Sequence, residues 1–224
     1  MALKFGVFIA LGLASLTQPA TAAISTFSNQ ADFMSATKAN SASGALPDVG
    51  YISSGSITLG SLTFNQVNDH GIYVGTAGTG LTNWSNLTAA NLIAINDTEN
   101  LDIVSNSQLF SFGFEFIEPS QSGGFVGSCF VNNCQDSTFS VTLKNGSTLV
   151  DSFSFNATND VLAFIGVWSD QAFDHVEIRE TAGGIDDEFY GQFYTGTTAV
   201  PVPTSAWLFA SGLMAVAGRR KQTA

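Results

Sequence analysis

Apolar and polar residues alternate with a period of two along much of the chain between residues 56 and 179. Because successive side chains of a β-strand point to opposite faces, each such run predicts a strand with one buried face. The predicted strands are residues 56–59, 61–64, 108–116, 138–143, 149–155 and 175–179. Turn residues separate several of the runs, so the pattern indicates an all-β protein with antiparallel strands.

The Asn145-Gly146 pair lies between two of these runs. Both residue types tolerate the positive φ that a tight type I′ turn requires, which makes the pair a strong hairpin signal. We therefore expect residues 138–143 and 148–155 to pair as an antiparallel hairpin.

A short helix is predicted over residues 29–36, where Ser28 and Asn29 offer capping groups and Ala31, Phe33 and Met34 are apolar. We expect it to close one end of the sheets. The rest of the sequence shows no long amphipathic helix, so the alternation of strand and helix typical of a parallel sheet is missing. The predicted fold class is all-β, an antiparallel two-sheet sandwich that is jelly-roll-like.

The N-terminal segment, residues 1–23, has the order of a secretory signal peptide. Lys4 precedes an apolar run over residues 5–16, and Pro19 precedes the small residues 20–23. Cleavage is predicted after Ala22 or Ala23. A retained membrane helix is the alternative, but 12 apolar residues are few for a bilayer that needs about 20.

The C-terminal segment, residues 200–224, combines prolines, an apolar stretch and a basic end. Residues 200–218 carry no charge, and the proline-free part, residues 204–218, predicts a membrane helix of marginal length. The cluster Arg219, Arg220 and Lys221 would stay on the cytoplasmic side, because basic residues are retained there.

This tail resembles the PEP-CTERM sorting signal of exported bacterial proteins. The resemblance rests on Pro201 and Pro203, the Gly212-Leu213 pair in the apolar stretch and the terminal basic cluster, with Val202 where the family name has glutamate. It implies recognition by an exosortase-type sorting enzyme and delivery to the cell envelope or the extracellular polysaccharide matrix. An ordinary single-span anchor is the alternative. Residues 164–173 also resemble the β-sandwich bodies that often carry such tails.

Residues 24–199 form one predicted domain of ordinary size. With three cations against eighteen acidic residues, this segment carries a net charge of −15. Such a surface repels nucleic acid and anionic lipid, because binding phosphates requires cations. Neutral polymers or divalent cations are the partners that the charge permits.

Cysteine and histidine usage argues against catalysis. Cys129 and Cys134 are spaced for a local disulfide in an oxidising compartment. The sequence has no G-x-S-x-G elbow, and His70 and His175 lie in unrelated patterns. No catalytic residue is therefore predicted, and a secreted hydrolase ranks third among the functions.

Acidic clusters predict a calcium site, since Ca²⁺ prefers several oxygen ligands. The favoured cluster is Asp186, Asp187 and Glu188, and a second lies within residues 96–102. Neither matches a complete calcium-loop motif, and a solvated acidic turn is the alternative. No other cofactor is predicted.

Exposed aromatic residues predict a carbohydrate site. Trp84 and Tyr73 belong to a glycine- and threonine-rich stretch, residues 73–90, that has the composition of an exposed loop. The 19 phenylalanines indicate an aromatic core instead, and Trp168 is expected inside it. The function predicted first is an exported, non-catalytic envelope or matrix protein, and the alternative is a carbohydrate-binding module for extracellular polysaccharide.

Overall fold

The protein is described by a computed structural model that covers residues 22–53, 55–67, 71–76, 91–97, 100–118, 137–159, 161–183 and 186–199. Within these residues the chain forms twelve strands and one helix. In chain order they are β1 (Ile24–Phe27), α1 (Gln30–Thr37), β2 (Asn40–Ser41), β3 (Gly50–Ile52), β4 (Ser56–Leu59), β5 (Leu62–Gln66), β6 (Ile72–Thr76), β7 (Asn91–Asp97), β8 (Leu101–Ile117), β9 (Thr138–Asn145), β10 (Thr148–Phe155), β11 (Ala163–Ala182) and β12 (Asp186–Gly196). Every strand pair in this part of the chain is antiparallel, which confirms the predicted all-β antiparallel class.

Two long strands, β8 and β11, connect two layers of sheet. The second half of β8 and the first half of β11 belong to sheet I, in the order β3-β6-β7-β12-β8-β11-β1. Their other halves belong to sheet II, in the order β10-β9-β11-β8-β5-β4. The register of β11 against β8 shifts between Trp168 and Phe173 and again before His175. Irregularities of this kind let a strand bend from one sheet into the other.

Phenylalanine rings join the two sheets at the core. The ring centroids of Phe64 on β5 and Phe193 on β12 are 4.7 Å apart. Phe116 on β8 lies 5.1 Å from Phe139 on β9, again across the sheets. The expected aromatic core is therefore present, and the sheets pack face to face as a β-sandwich.

Helix α1 begins after Asn29, whose side chain accepts a hydrogen bond from the Asp32 backbone N–H at 3.1 Å. This satisfies a backbone donor that the first turn would leave unpaired. Phe33 is fully buried, and its ring lies beside Gly113 and Gly166, which are paired across β8 and β11. The helix thus covers the outer face of sheet I, and the expectation that it closes an end of the sandwich is wrong.

We expect Gly113→Ala to lower the free energy of unfolding by about 1 kcal/mol, because added volume in a packed site forces its neighbours apart. A methyl group at residue 113 would lie 2.7 Å from Phe164 Cζ and 3.1 Å from Phe33 Cε1. Chemical denaturation measures the change, with Ser154→Ala on exposed strand β10 as the control. Equal stability of the two variants would contradict the proposed close packing.

The β9–β10 hairpin forms as predicted, but with Thr148 opposite Asn145 and Leu149 opposite Lys144, so Asn145 ends strand β9 and does not lie in the loop where the predicted turn placed it. The loop residues are Gly146 and Ser147, and of these only Gly146 has a positive φ, at 57°. Glycine at the first central position with the second at negative φ is the pattern of a type II′ turn. The expected type I′ turn is therefore wrong, although the hairpin itself is confirmed.

Several predicted features lie outside the described residues. They are residues 1–21 of the signal segment, His70, Trp84, the cysteines Cys129 and Cys134, and the whole tail from residue 200 with Pro201, Pro203, Arg219, Arg220 and Lys221. Within the part of the chain that the structure covers, no helix is both long and apolar enough to span a bilayer.

Candidate functional site

A row of side chains crosses the outer face of sheet I. Direct cross-strand pairing aligns Tyr51 on β3, Tyr73 on β6, Ala94 on β7, Phe189 on β12 and Ile117 on β8. We call these five residues the outer row. Its last three members are buried, Tyr73 is half-buried, and Tyr51 is 57% exposed at the sheet edge. The two tyrosines of the row are therefore accessible to solvent, and the three buried apolar residues lie beside them on the same face of the sheet.

Glycines make room for both tyrosine rings. A methyl group at residue 71 would lie 2.3 Å from the phenol end of Tyr51, and one at residue 75 would lie 2.8 Å from the ring of Tyr73. Only glycine permits such an approach of ring to backbone. The missing side chains at Gly71 and Gly75 thus let the Tyr51 ring lie against residue 71, just before strand β6, and the Tyr73 ring lie against residue 75 within that strand.

A carboxylate lies next to the second ring. The Oδ1 atom of exposed Asp48 is 2.9 Å from the position that a methyl group on Gly75 would take, beside Tyr73. The segment is held in place because the Val49 N–H donates to the Val74 carbonyl at 2.9 Å. Val49 is itself 51% exposed. Rings that offer apolar faces, beside an acceptor for hydroxyl groups, suit a ligand that is apolar on one side and hydroxylated around its rim.

Of the two predicted carbohydrate residues, Tyr73 lies in this site and Trp84 lies outside the described residues. Tyr51 was not predicted as a site residue from the sequence. Its strand has only three residues and shows no alternation long enough to recognise. Only the pairing of β3 with β6 places Tyr51 opposite Tyr73.

The two tyrosines of strand β12 serve packing. Tyr190 is fully buried in the core, and Tyr194 is 4% exposed against Phe33 and Phe164. Burial and the neighbouring Glu115 carboxylate raise the pKa of Tyr194 to about 12. Trp168 is half-buried and pairs with Ser111 on the outer face of sheet I, so the expectation that it lies in the core is wrong.

The predicted calcium cluster begins strand β12. Asp186 and Asp187 pair through the backbone with Asp97 and Asn96 on β7. Glu188 is fully buried, and neither of its carboxyl oxygens has a hydrogen-bond partner among the described residues. Burial raises the pKa of Glu188 well above its usual range. The calcium site stays a prediction, with Glu188 facing the interior.

A charged cluster occupies the outer face of sheet II. Asp102, His175 and Glu177 each offer a ligand atom within 4.8 Å of the others. Lys144 Nζ lies 2.5 Å from Glu177 Oε1, and Arg179 forms an ion pair with Asp102. Burial raises the pKa of Glu177, but the Lys144 hydrogen bond and the charges of Arg179, Lys144 and His175 lower it overall. The two cations already supply the positive charge that a metal ion would bring, so the cluster is a structural ion-pair network.

A shallow groove lies between the β9–β10 hairpin and the bend of β11. We call it the hairpin groove, and its volume is about 580 Å³. Its lining residues are Phe110, Asn145, Thr148, Leu149, Val150, Asp170, Gln171 and Ala172. Leu149 is 61% exposed there. The described lining of the groove combines apolar and amide groups, and one of these residues, Phe110, is aromatic. The outer row, by comparison, has two tyrosines.

Comparisons with known proteins found distant likenesses only. The chain matches no known family profile and no curated protein. A mutant of a family 29 carbohydrate-binding module is 14% identical, with 78% of this chain and 92% of that chain covered and a TM-score of 0.31. A family 11 carbohydrate-binding module from Clostridium thermocellum, in complex with a mixed-linked tetrasaccharide, is 7% identical, with 67% and 97% covered and a TM-score of 0.33. The CBM22-1 and GH10 modules of a xylanase from the same organism match at 7% identity and a TM-score of 0.33, with 70% and 28% covered. At these scores the likenesses establish neither family nor ligand.

Proposed function

We propose that this chain is an exported, non-catalytic protein that binds a neutral polysaccharide at the cell envelope or in the extracellular matrix. The binding surface is the exposed end of the outer row, where Tyr51 and Tyr73 lie side by side next to Asp48. The observation that carries the proposal is the pair of tyrosines that two glycines hold against strand β6. We also propose that the sandwich has a jelly-roll-like topology.

Charge narrows the class of ligand. The body carries a net charge of −15 between residues 24 and 199, and Asp48 adds a carboxylate at the site itself. An acidic polysaccharide would meet like charge, which lowers the rate and strength of association. A neutral polymer avoids this repulsion, and its hydroxyl groups can donate to the carboxylate.

Sedimentation with insoluble polysaccharides tests the proposal on the full chain. We expect retention on at least one of β-1,4-glucan, β-1,4-mannan and β-1,4-xylan. Tyr51→Ala is expected to weaken that retention about tenfold or more, since an anchoring aromatic side chain at an interface contributes about 2 kcal/mol. Gly71→Ala should weaken it too, because the added methyl group displaces the Tyr51 ring without removing it.

Phe110→Ala in the hairpin groove is the matched control and should bind like the wild type. Loss of binding in Phe110→Ala with normal binding in Tyr51→Ala would move the site to the groove. Absence of retention on all three neutral polymers would contradict the proposed function.

A second candidate function is that of an envelope component defined by its sorting signal alone. Its support is the tail, residues 200–224, with Pro201, Pro203 and the basic cluster 219–221. In this case an exosortase-type enzyme is the partner and the C-terminal helix is the membrane attachment. Intact mass of the protein from a bacterium that has such an enzyme tests it, because the proposal expects loss of the C-terminal residues, and an intact C-terminus contradicts it.

A further inference from the structure

The first described residues are bound closely to the bend of strand β11. The Ala23 backbone N–H donates to Asp170 Oδ1 at 2.9 Å, and the Asp170 backbone N–H donates to the Ala23 carbonyl at 3.1 Å. Strand β1 continues from this point, with Ile24 opposite Ser169 and Phe27 opposite Gly166. The Asp170 carboxylate therefore accepts a hydrogen bond from the backbone nitrogen of Ala23, the residue that follows the first of the two predicted cleavage positions.

We propose that during export a signal peptidase hydrolyses the peptide bond between Ala22 and Ala23, with water adding to leave a carboxylate on Ala22 and an α-ammonium group on Ala23, and that this ammonium group forms an ion pair with Asp170 that fastens β1 to the mature sandwich. The proposal rests on the export included in the proposed function, but not on polysaccharide binding. It selects one of the two cleavage positions that the sequence leaves open.

Two independent observations select the position after Ala22. Residues 20 to 22 read Ala-Thr-Ala, the small-x-small order that precedes a signal-peptide cleavage site. In the structure, a chain that begins at Ala23 keeps both bonds to Asp170. A chain that begins at Ile24 loses both and leaves the carboxylate without this donor.

The negative charge of the Asp170 carboxylate is not balanced by the charged groups described around it. Among the described residues that line the hairpin groove, Asp170 is the one titratable residue. Asp174, four residues along β11, binds the Gly146 N–H and adds further negative charge. Strand β1, which lies alongside, has the uncharged sequence Ile-Ser-Thr-Phe. None of the ion pairs among the described residues includes Asp170, so an ammonium group on Ala23 would give this carboxylate a cationic partner.

The ion pair has a defined dependence on pH. A free α-amino group has a pKa of about 7.7–8.0, and a carboxylate partner in the folded state raises it. The added stability is therefore fully present below about pH 7.7 and is lost as pH rises through the higher folded value. A chain that still carries its leader has an uncharged amide at Ala23 and lacks this titration.

The test uses the full-length gene, expressed with export in a bacterium, followed by intact mass of the purified protein. The expected N-terminal residue is Ala23. Thermal unfolding between pH 6.5 and pH 9.5 should then show a melting temperature about 1–3 °C lower at the alkaline end, as expected for the loss of an exposed ion pair. Asp170→Asn should abolish this difference, and Asp151→Asn on β10 should retain it as the matched control.

An N-terminus at Met1, at Ile24 or at any residue other than Ala23 would overturn the proposal. So would an equal alkaline loss of stability in the wild type and in Asp170→Asn. An N-terminus at Met1 would also contradict the export included in the proposed function, whereas the other results would overturn the ion pair alone. None of them bears on retention by neutral polysaccharide.

Discussion

Replacement of Phe116 by alanine is expected to lower the free energy of unfolding by about 3–5 kcal/mol, the range for removal of a fully buried phenylalanine side chain. The side chain of Phe116 has no exposed surface. Its ring centroid lies 5.1 Å from that of Phe139 and 5.3 Å from those of Phe155 and Tyr190. These neighbours come from both sheets, so no single strand can move to fill the cavity.

Urea denaturation of the full chain, followed by intrinsic fluorescence, measures this loss. Phe153→Ala is the matched control, because Phe153 lies on edge strand β10 and is only partly buried. Its expected cost is clearly smaller. A loss of less than 1 kcal/mol in Phe116→Ala would show that this ring does not join the sheets as described.

Glu188→Met is expected to raise the free energy of unfolding at pH 7 by about 3 kcal/mol, the upper range for a buried polar group left without a partner. Glu188 is fully buried between strands β7 and β8 of sheet I, where Ile95 lies directly opposite. Burial raises its pKa well above the usual range. Methionine fills a similar volume and has no carboxyl group to desolvate.

The pH dependence follows from the same shift. Because the folded pKa is raised, Glu188 costs no stability below about pH 4.3, where its carboxyl is protonated in both the folded and the unfolded state. Stability then falls as pH rises toward the folded pKa, since the unfolded chain releases the proton first. Glu188→Gln, which stays neutral, should remove most of this fall between pH 4.5 and pH 7.5.

Thermal unfolding across that pH range tests the prediction, with Glu180→Gln as the comparison. Burial also raises the pKa of Glu180, whose side chain keeps contact with solvent and with Ser137. We expect the smaller effect there. A wild type whose melting temperature does not fall between pH 4.5 and pH 7.5 would contradict the assignment of a neutral buried carboxyl at Glu188.

Local sequence patterns predicted the elements that local physics determines. Strand β9 begins at Thr138 and strand β10 ends at Phe155, as the alternation indicates, and Asn29 caps helix α1. The Asn145-Gly146 pair indicated the hairpin, although the loop lies one residue further along, at Gly146 and Ser147. These features depend on residues within about ten positions of one another, which a single sequence displays.

Long-range features were not predicted. Strand β11 runs from Ala163 to Ala182 through both sheets, whereas the alternation indicated only its part at residues 175–179. The bend at residues 169–174 becomes visible through the register against β8, a partner some 60 residues away. The position of α1 likewise depends on Gly113 and Gly166, two glycines that meet only when β8 and β11 pair.

The candidate site shows the same limit. Tyr73 was identified from its surroundings in the sequence, but Tyr51 has no signal of its own and becomes a site residue by pairing with Tyr73. Gly71 and Gly75 read as ordinary turn or loop glycines until the rings are placed against them. Glu188 was grouped with two neighbouring acids, and burial of the strand separates it from solvent.

Nuclear magnetic resonance titration of the full exported chain with a soluble neutral hexasaccharide, derived from whichever polymer retains the protein, tests the central claim most directly. The proposed site predicts the largest shifts in the backbone signals of Tyr51, Gly71, Tyr73 and Gly75 at saturation, with little change at Phe110 and Leu149. Shifts confined to the hairpin groove, or no shifts at millimolar oligosaccharide, would contradict binding at the outer row.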